Sequence, residues 1–117
     1  MTFNMWTPVK QDRIEKDIEY CGDILFDNPN CLKFWEYIKI APEKWKEKTM
    51  GEEGGGFWVV AIIGKSVIYY NDIEEGYNFS TFTSYGEIDN YYCSQMELHE
   101  MIESLFYEIE RKKNNCH

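Results

Sequence analysis

The chain has 117 residues, of which 44% are hydrophobic and 17% aromatic, with a formal net charge of −9. That length suits one domain whose core can stand without disulfides or metals, and the aromatic content argues against general disorder. No apolar run approaches the ~20 residues that span a bilayer, and Met1 to Thr7 lacks the basic and apolar regions of a signal peptide, so the expected compartment is the cytosol.

Charge is spread unevenly. Between Ser66 and Glu110 there is no Lys or Arg, and ten acids fall in that window, whereas the first 65 residues hold eleven acids against nine bases. A field of one sign repels nucleic acid phosphate and anionic lipid and attracts basic partners. No nucleic-acid or membrane partner is therefore expected, and a basic protein partner is. The plainer alternative is a solvated acidic face kept for solubility.

In chain order, Thr7-Pro8 reads as N-cap and first residue of a helix. Ile14, Ile18, Cys21 and Leu25 follow on one apolar face, with Gly22 as an early stop. Asn28-Pro29 starts a second helix, Pro29 to Ile40, with Leu32, Trp35 and Ile38 near one face. Pro42 to Lys48 reads as a short helix with Trp45 inward and its Glu and Lys residues outward. Gly51 to Gly56 reads as a flexible loop.

The stretch Gly54 to Asn78 organises the rest. Phe57 to Ile63 is apolar on both faces and reads as a central strand, Phe57, Val59, Ala61 and Ile63 opposing Trp58, Val60 and Ile62. Gly64-Lys65 suits a hairpin turn, and Ser66 to Tyr70 a partner strand. Asn78 to Ser84 alternates as a third strand, and Glu87 to Cys93 reads as an edge strand with Ile88 inward. Ser94 to Glu97 matches a capping box. After it Leu98, Met101, Ile102, Leu105, Phe106 and Ile109 form one stripe of a final helix, with Arg111-Lys112-Lys113 at its negative end.

Few motifs carry chemistry. Cys21, Cys31, Cys93 and Cys116 show no CxxC spacing, so they read as thiols, the first three as packing residues. A zinc site with His99 or His117 is disfavoured because ligand pairs usually sit closer in sequence. Gly64-Lys65-Ser66 mimics the end of a phosphate-binding loop, but Val59 stands where that motif needs glycine and a strand follows where it needs a helix. Asp72, Glu74 and Glu75 could form a structural turn through Asp72, a divalent-cation site or a partner-facing loop. His99, set among Glu97, Glu100 and Glu103, has no second placed histidine for acid–base work. Tyr69, Tyr70, Tyr77, Phe79, Phe82, Tyr85, Tyr91 and Tyr92 share the base-free window. Rings left outside the core there would make an amphipathic contact surface of the kind enriched at interfaces.

Trp45, Phe57-Trp58, Gly64, Tyr70-Asn71-Asp72, Gly76, Asn78 and Tyr92, with a capped final helix, give the region from Pro42 to Ile109 a family likeness. It resembles small bacterial immunity proteins of polymorphic and contact-dependent toxin systems, including some of the SMI1/KNR4-like group. The leucine-rich first helix and Pro-Tyr turn usual at the start of that group are not visible. The resemblance implies cytosolic neutralisation of a toxin, often a basic nuclease, through a tight acidic interface.

The expected fold is α+β, with N-terminal helices, a central antiparallel sheet of about four strands and a C-terminal helix packed on the sheet. The expected function is non-catalytic binding of a basic partner through Asp72, Glu74, Glu75, Tyr77, Tyr85, Glu87, Asp89 and Tyr91, with no cofactor or metal. The alternatives are a small-ligand or metal-dependent enzyme with its site at the Asn71 to Asn78 loop, marked by a deep pocket holding at least two of Asp72, Glu74 and Glu75, and a homo-oligomeric scaffold.

Overall fold

The computed structural model describes residues 7–49 and 55–115. Helix α1 is Gln11–Leu25, and it buries Ile14, Cys21 and Leu25. It begins later than Thr7-Pro8 because Val9 is held outside it. The Val9 N–H donates to Asp72 Oδ2 at 3.0 Å, and the Val9 carbonyl accepts from Trp58 Nε1 at 2.9 Å. Gly22 does not stop the helix, since Leu25 beyond it is fully buried. Helix α2, Pro29–Ile38, is capped as its sequence signals, with the Asn28 side chain accepting from the Cys31 N–H.

The chain then turns extended at Lys39 and enters strand β1, Lys39–Glu47. The span expected as a helix, Pro42 to Lys48, is thus strand through Glu47. Glu and Lys are good helix formers, but a stronger tertiary interaction overrides them. β1 pairs antiparallel with β2, Phe57–Ile63, setting Trp45 opposite Phe57. Trp45 and Glu47 point in while Lys46 and Lys48 point out, a period of two. Most of the expected loop from Gly51 to Gly56 lies outside the described residues.

β2 is central as expected. It pairs with β3, Ser66–Asn71, which pairs with β4, Gly76–Thr81, and the order is β4-β3-β2-β1-β5. Ile63 pairs with Ser66 across the Gly64-Lys65 turn, where Gly64 has φ 60°. β5 is only Glu87–Ile88 and runs parallel to β1, so the sheet has five strands and is mixed. The register of β2 against β3 slips between Val59 and Ala61. Past that bulge the faces exchange: Ala61 and Ile63 join Val60 and Trp58, and Ile62 joins Phe57 and Val59.

Each face of the sheet meets its own layer. One packs Val60, Ala61, Ile68, Tyr70 and Tyr77 against the three helices, where Trp35 and Ile102 are buried. On the other, Trp45, Phe57, Val59, Val67 and Tyr69 are covered by Phe82, Ile88 and Tyr91 from the segment after β4. That segment is held by side chains more than by a ladder. Tyr69 Oη donates to the Asn90 carbonyl at 3.1 Å and accepts from the Tyr92 N–H at 2.8 Å. Asn71 Nδ2 donates to the Tyr92 carbonyl at 2.8 Å, and Asn78 Oδ1 accepts from the Ser94 N–H at 2.8 Å. Burial pushes the Tyr69 phenol up to about 12.

Helix α3 is Leu98–Asn115. It starts three residues later than the Ser94-Glu97 box suggests, with Glu97 in place of Ser94 at its entry. The Glu97 carbonyl accepts from the Met101 N–H at 3.0 Å, and the Glu97 N–H donates to the Glu100 carboxylate at 2.9 Å. Ser94 Oγ accepts instead from the Met96 N–H. Leu98, Met101 and Ile102 are buried, and Ile109, placed in the same stripe from sequence, is exposed. No helix among the described residues is long and apolar enough to cross a membrane.

Candidate functional site

The eight residues expected to form one surface fall in separate places. Asp72 is buried and takes the Val9 N–H. Asn71, not Asp72, builds the β3–β4 turn, its Oδ1 accepting from the N–H groups of Ile73 and Glu74 at 3.0 and 3.2 Å. Glu74 is half-buried, and its carbonyl accepts from Gln95 Nε2. Tyr77 is buried and so cannot be a protruding anchor. Tyr91 is half-buried, its ring 6.1 Å from that of Phe57.

Tyr85, Glu87 and Asp89 gather at the β5 edge. Tyr85 is exposed but held, its hydroxyl donating to Glu43 Oε1 at 2.7 Å and its ring 4.7 Å from that of Trp45. Trp45 Nε1 donates to the same oxygen at 3.1 Å. These two bonds, Tyr85's first, hold the Glu43 carboxyl below its usual range. Asp89 accepts from Thr81 Oγ1 and Thr83 Oγ1 at 2.9 and 3.2 Å. Glu87 and Asp89 share a depression with Lys46 and Lys48. The window is base-free in sequence, but β1 brings its lysines to these acids in space.

Glu75 and Tyr77 lie elsewhere, in a cleft of about 170 Å³ between α1, the β3–β4 turn and the start of α3. Three steps build it. Arg13, Asp17 and Tyr20 are set four and three residues apart, which stacks them on one side of α1. Tyr70 and Tyr77 project side by side from β3 and β4, rings 4.8 Å apart. Gly76 then lets residues 94–96 close the end. A Cβ there would lie 2.1 Å from the Ser94 carbonyl oxygen, and the Tyr77 N–H donates to the Met96 carbonyl at 2.8 Å.

A polar network lines this cleft. Tyr77 Oη donates to Asp17 Oδ2 at 2.9 Å. Burial, and then the Asp17 charge, push the Tyr77 phenol far above its usual value. Arg13 Nη2 donates to Tyr70 Oη at 3.2 Å, and its guanidinium carbon stands 5.2 Å from the Tyr70 ring centroid. Arg13 Nε also lies 3.4 Å from Asp17 Oδ1. On the α3 side His99 Nε2 is 3.4 Å from Glu97 and its Nδ1 3.5 Å from Glu103. These contacts become ion pairs when the imidazole is protonated. Glu75 stands at the mouth with φ 61°, in the left-handed region that non-glycine residues seldom occupy. Its carboxylate makes no hydrogen bond or ion pair among the described residues.

Of the Asn71 to Asn78 loop, the cleft takes Glu75, Gly76 and Tyr77 but neither Asp72 nor Glu74. Among the described residues no group of three or more His, Cys, Asp or Glu side chains is placed to hold a metal. Burial pushes the Cys21 and Cys31 thiols up to about 12 and about 11, which suits packing groups rather than nucleophiles. Cys93, expected inside, is exposed.

Sequence reasoning missed Arg13, Asp17, Tyr20 and Gln95. The spacing on α1 shows that three of them share a side, but nothing local shows that β3 and β4 bring two tyrosines to meet it. No family model, curated protein or solved structure matches the chain.

Proposed function

We propose that the protein is a non-catalytic binding module that docks a basic protein partner at the cleft between α1 and α3. The resemblance noted in the sequence suggests the setting: an immunity protein or inhibitor that neutralises a basic toxin domain, such as a nuclease, in bacterial cytoplasm. One observation supports the docking reading most. Asp17, Glu75 and Glu97 converge with three tyrosines on a concavity whose lining holds a single arginine. Carboxylates beside aromatic rings favour a cationic partner through charge complementarity, desolvation and cation–π contact.

The mechanism is steric and electrostatic. Long-range attraction by the net charge of −9 speeds encounter, and the cleft fixes the register of the bound partner. The test is capture of basic candidates, above all the product of a neighbouring gene, followed by affinity measurement over a range of salt. Binding should weaken as salt rises and should fall when Glu75 and Glu97 are changed to Lys. Affinity indifferent both to salt and to this double reversal would refute docking at the cleft.

A further inference from the structure

We infer that the cleft is a socket for one arginine side chain of the partner, its guanidinium taken by the carboxylates of Glu75 and Glu97 between tyrosine walls. The inference rests on the docking reading above and narrows it to a single ligand group. Size is the first argument. At about 170 Å³ the cleft is well below the roughly 300–1,000 Å³ of small-molecule sites, yet it has room for one side chain. Charge is the second. Three carboxylates line it against one guanidinium and the His99 imidazole, and Glu75 is left without a partner among the described residues. An anion drawn to Arg13 would have to face all three carboxylates.

The third argument is that the cleft already recognises a guanidinium. Arg13 meets a phenol oxygen at 3.2 Å, an aromatic face at 5.2 Å and a carboxylate at 3.4 Å. Those are the contacts a planar, weakly hydrated guanidinium prefers, and an ammonium uses them less well. Tyr20 and Glu75 supply a second ring and a second carboxylate that Arg13 does not use. Arg13 is then the resident competitor as well as part of the wall.

The test needs no partner. N-acetyl-arginine amide, a single positive charge on an arginine side chain, is titrated into the full isotope-labelled chain and amide shifts are followed by NMR. Saturable shifts should cluster at Gly76, Tyr77 and residues 95–99. The double variant Glu75→Gln/Glu97→Gln should weaken binding about tenfold or more, and both positions are exposed, so the fold should persist. Arg13→Gln should tighten binding of the arginine probe more than that of N-acetyl-lysine amide, whereas loss of one positive charge would strengthen diffuse attraction to both cations alike. N-acetyl-lysine amide should bind several-fold more weakly. Shifts that never saturate or spread over the whole surface, equal binding of the lysine analogue, or a gain in Arg13→Gln no larger for the arginine probe than for the lysine analogue would each overturn the socket. If the probe binds but no basic partner is found, the docking reading alone fails. If a partner is bound through Glu75 and Glu97 while the probe is ignored, the socket alone fails.

Discussion

Two indentations of this molecule are made from the same materials and end with different electrostatics. At the β5 edge, Glu87 and Asp89 face Lys46 and Lys48, and Tyr85 is tied to Glu43. In the cleft beside α1, the Glu75 carboxylate has no partner among the described residues, and the cations lining the cleft are Arg13 and, when protonated, His99. In sequence both sets of acids belong to one base-free window. The difference comes from which strand arrives alongside. β1 carries alternate lysines to one site, and α1 brings Asp17 and Tyr20 to the other. A run of like charge in a chain becomes a field only where the fold leaves it unanswered.

The sharpest way to break this comparison is through the glycine in each site. Gly76→Ala would drive a Cβ to 2.1 Å from the Ser94 oxygen and 2.3 Å from Gln95 Cα. Both are backbone atoms that cannot step aside, so urea unfolding should show a loss of about 3 kcal/mol. Gly86→Ala at the β5 edge meets nothing within 4 Å and is strained only by φ 95°. It should cost about 1–2 kcal/mol.

Charge reversal compares the two sites in binding. Glu75→Lys with Glu97→Lys should lower affinity for a basic partner by roughly a hundredfold in calorimetry. Glu87→Lys with Asp89→Lys, where lysines already stand, should change it by roughly threefold at most. Equal losses at the two sites would erase the distinction between them.

Tyr69→Phe tests the segment that leads into the cleft. It leaves the Asn90 carbonyl and the Tyr92 N–H without the hydroxyl that joins them, at a cost of about 2 kcal/mol. It should also alter the alkaline limb of stability. The Tyr69 phenol moves from 10.0 to about 12 on folding. Its contribution is therefore complete below pH 10 and is lost as pH rises toward 12. Unfolding curves collected across that range should fall less steeply for the variant.

The smallest effect belongs to Tyr85→Phe at the β5 edge. Stability should barely move because the Tyr85 hydroxyl lies in solvent. The Glu43 carboxyl should rise back toward its ordinary value in an NMR titration, having lost the first of the two bonds that hold it down. Glu43 is lowered in the fold, so its small contribution is present above the ordinary carboxylate range and is lost on acidification.

Much of the frame could be read from local pattern. The Asn28-Pro29 start, the apolar Phe57 to Ile63 strand and the Gly64 turn depend on neighbours in sequence, and the fold keeps all three. Local pattern misleads where distant contacts decide. Residues 43–48 carry a period of two, Trp45 and Glu47 inward, beneath a helix-forming composition; only pairing with β2 lets the period win. The Val59–Ala61 slip has no local mark at all. The cleft is the extreme case. Arg13 and Asp17 reach Tyr70 and Tyr77 across 57 and 60 positions, a separation no motif can announce. Glu75 and Tyr77 stand out in the sequence by their chemistry, but their companions come from topology.

The rims of the sheet carry one further consequence. Residues 89–96 hydrogen-bond along the outer side of β4, through the Asp89 N–H to Thr81 and the Met96 carbonyl to Tyr77. β5 takes the end of β1, and Pro42 in the rest of β1 offers no N–H to a newcomer. Among the described residues both rims of the sheet are thus closed in part to strand addition. A foreign peptide backbone would meet only short stretches of ladder to extend.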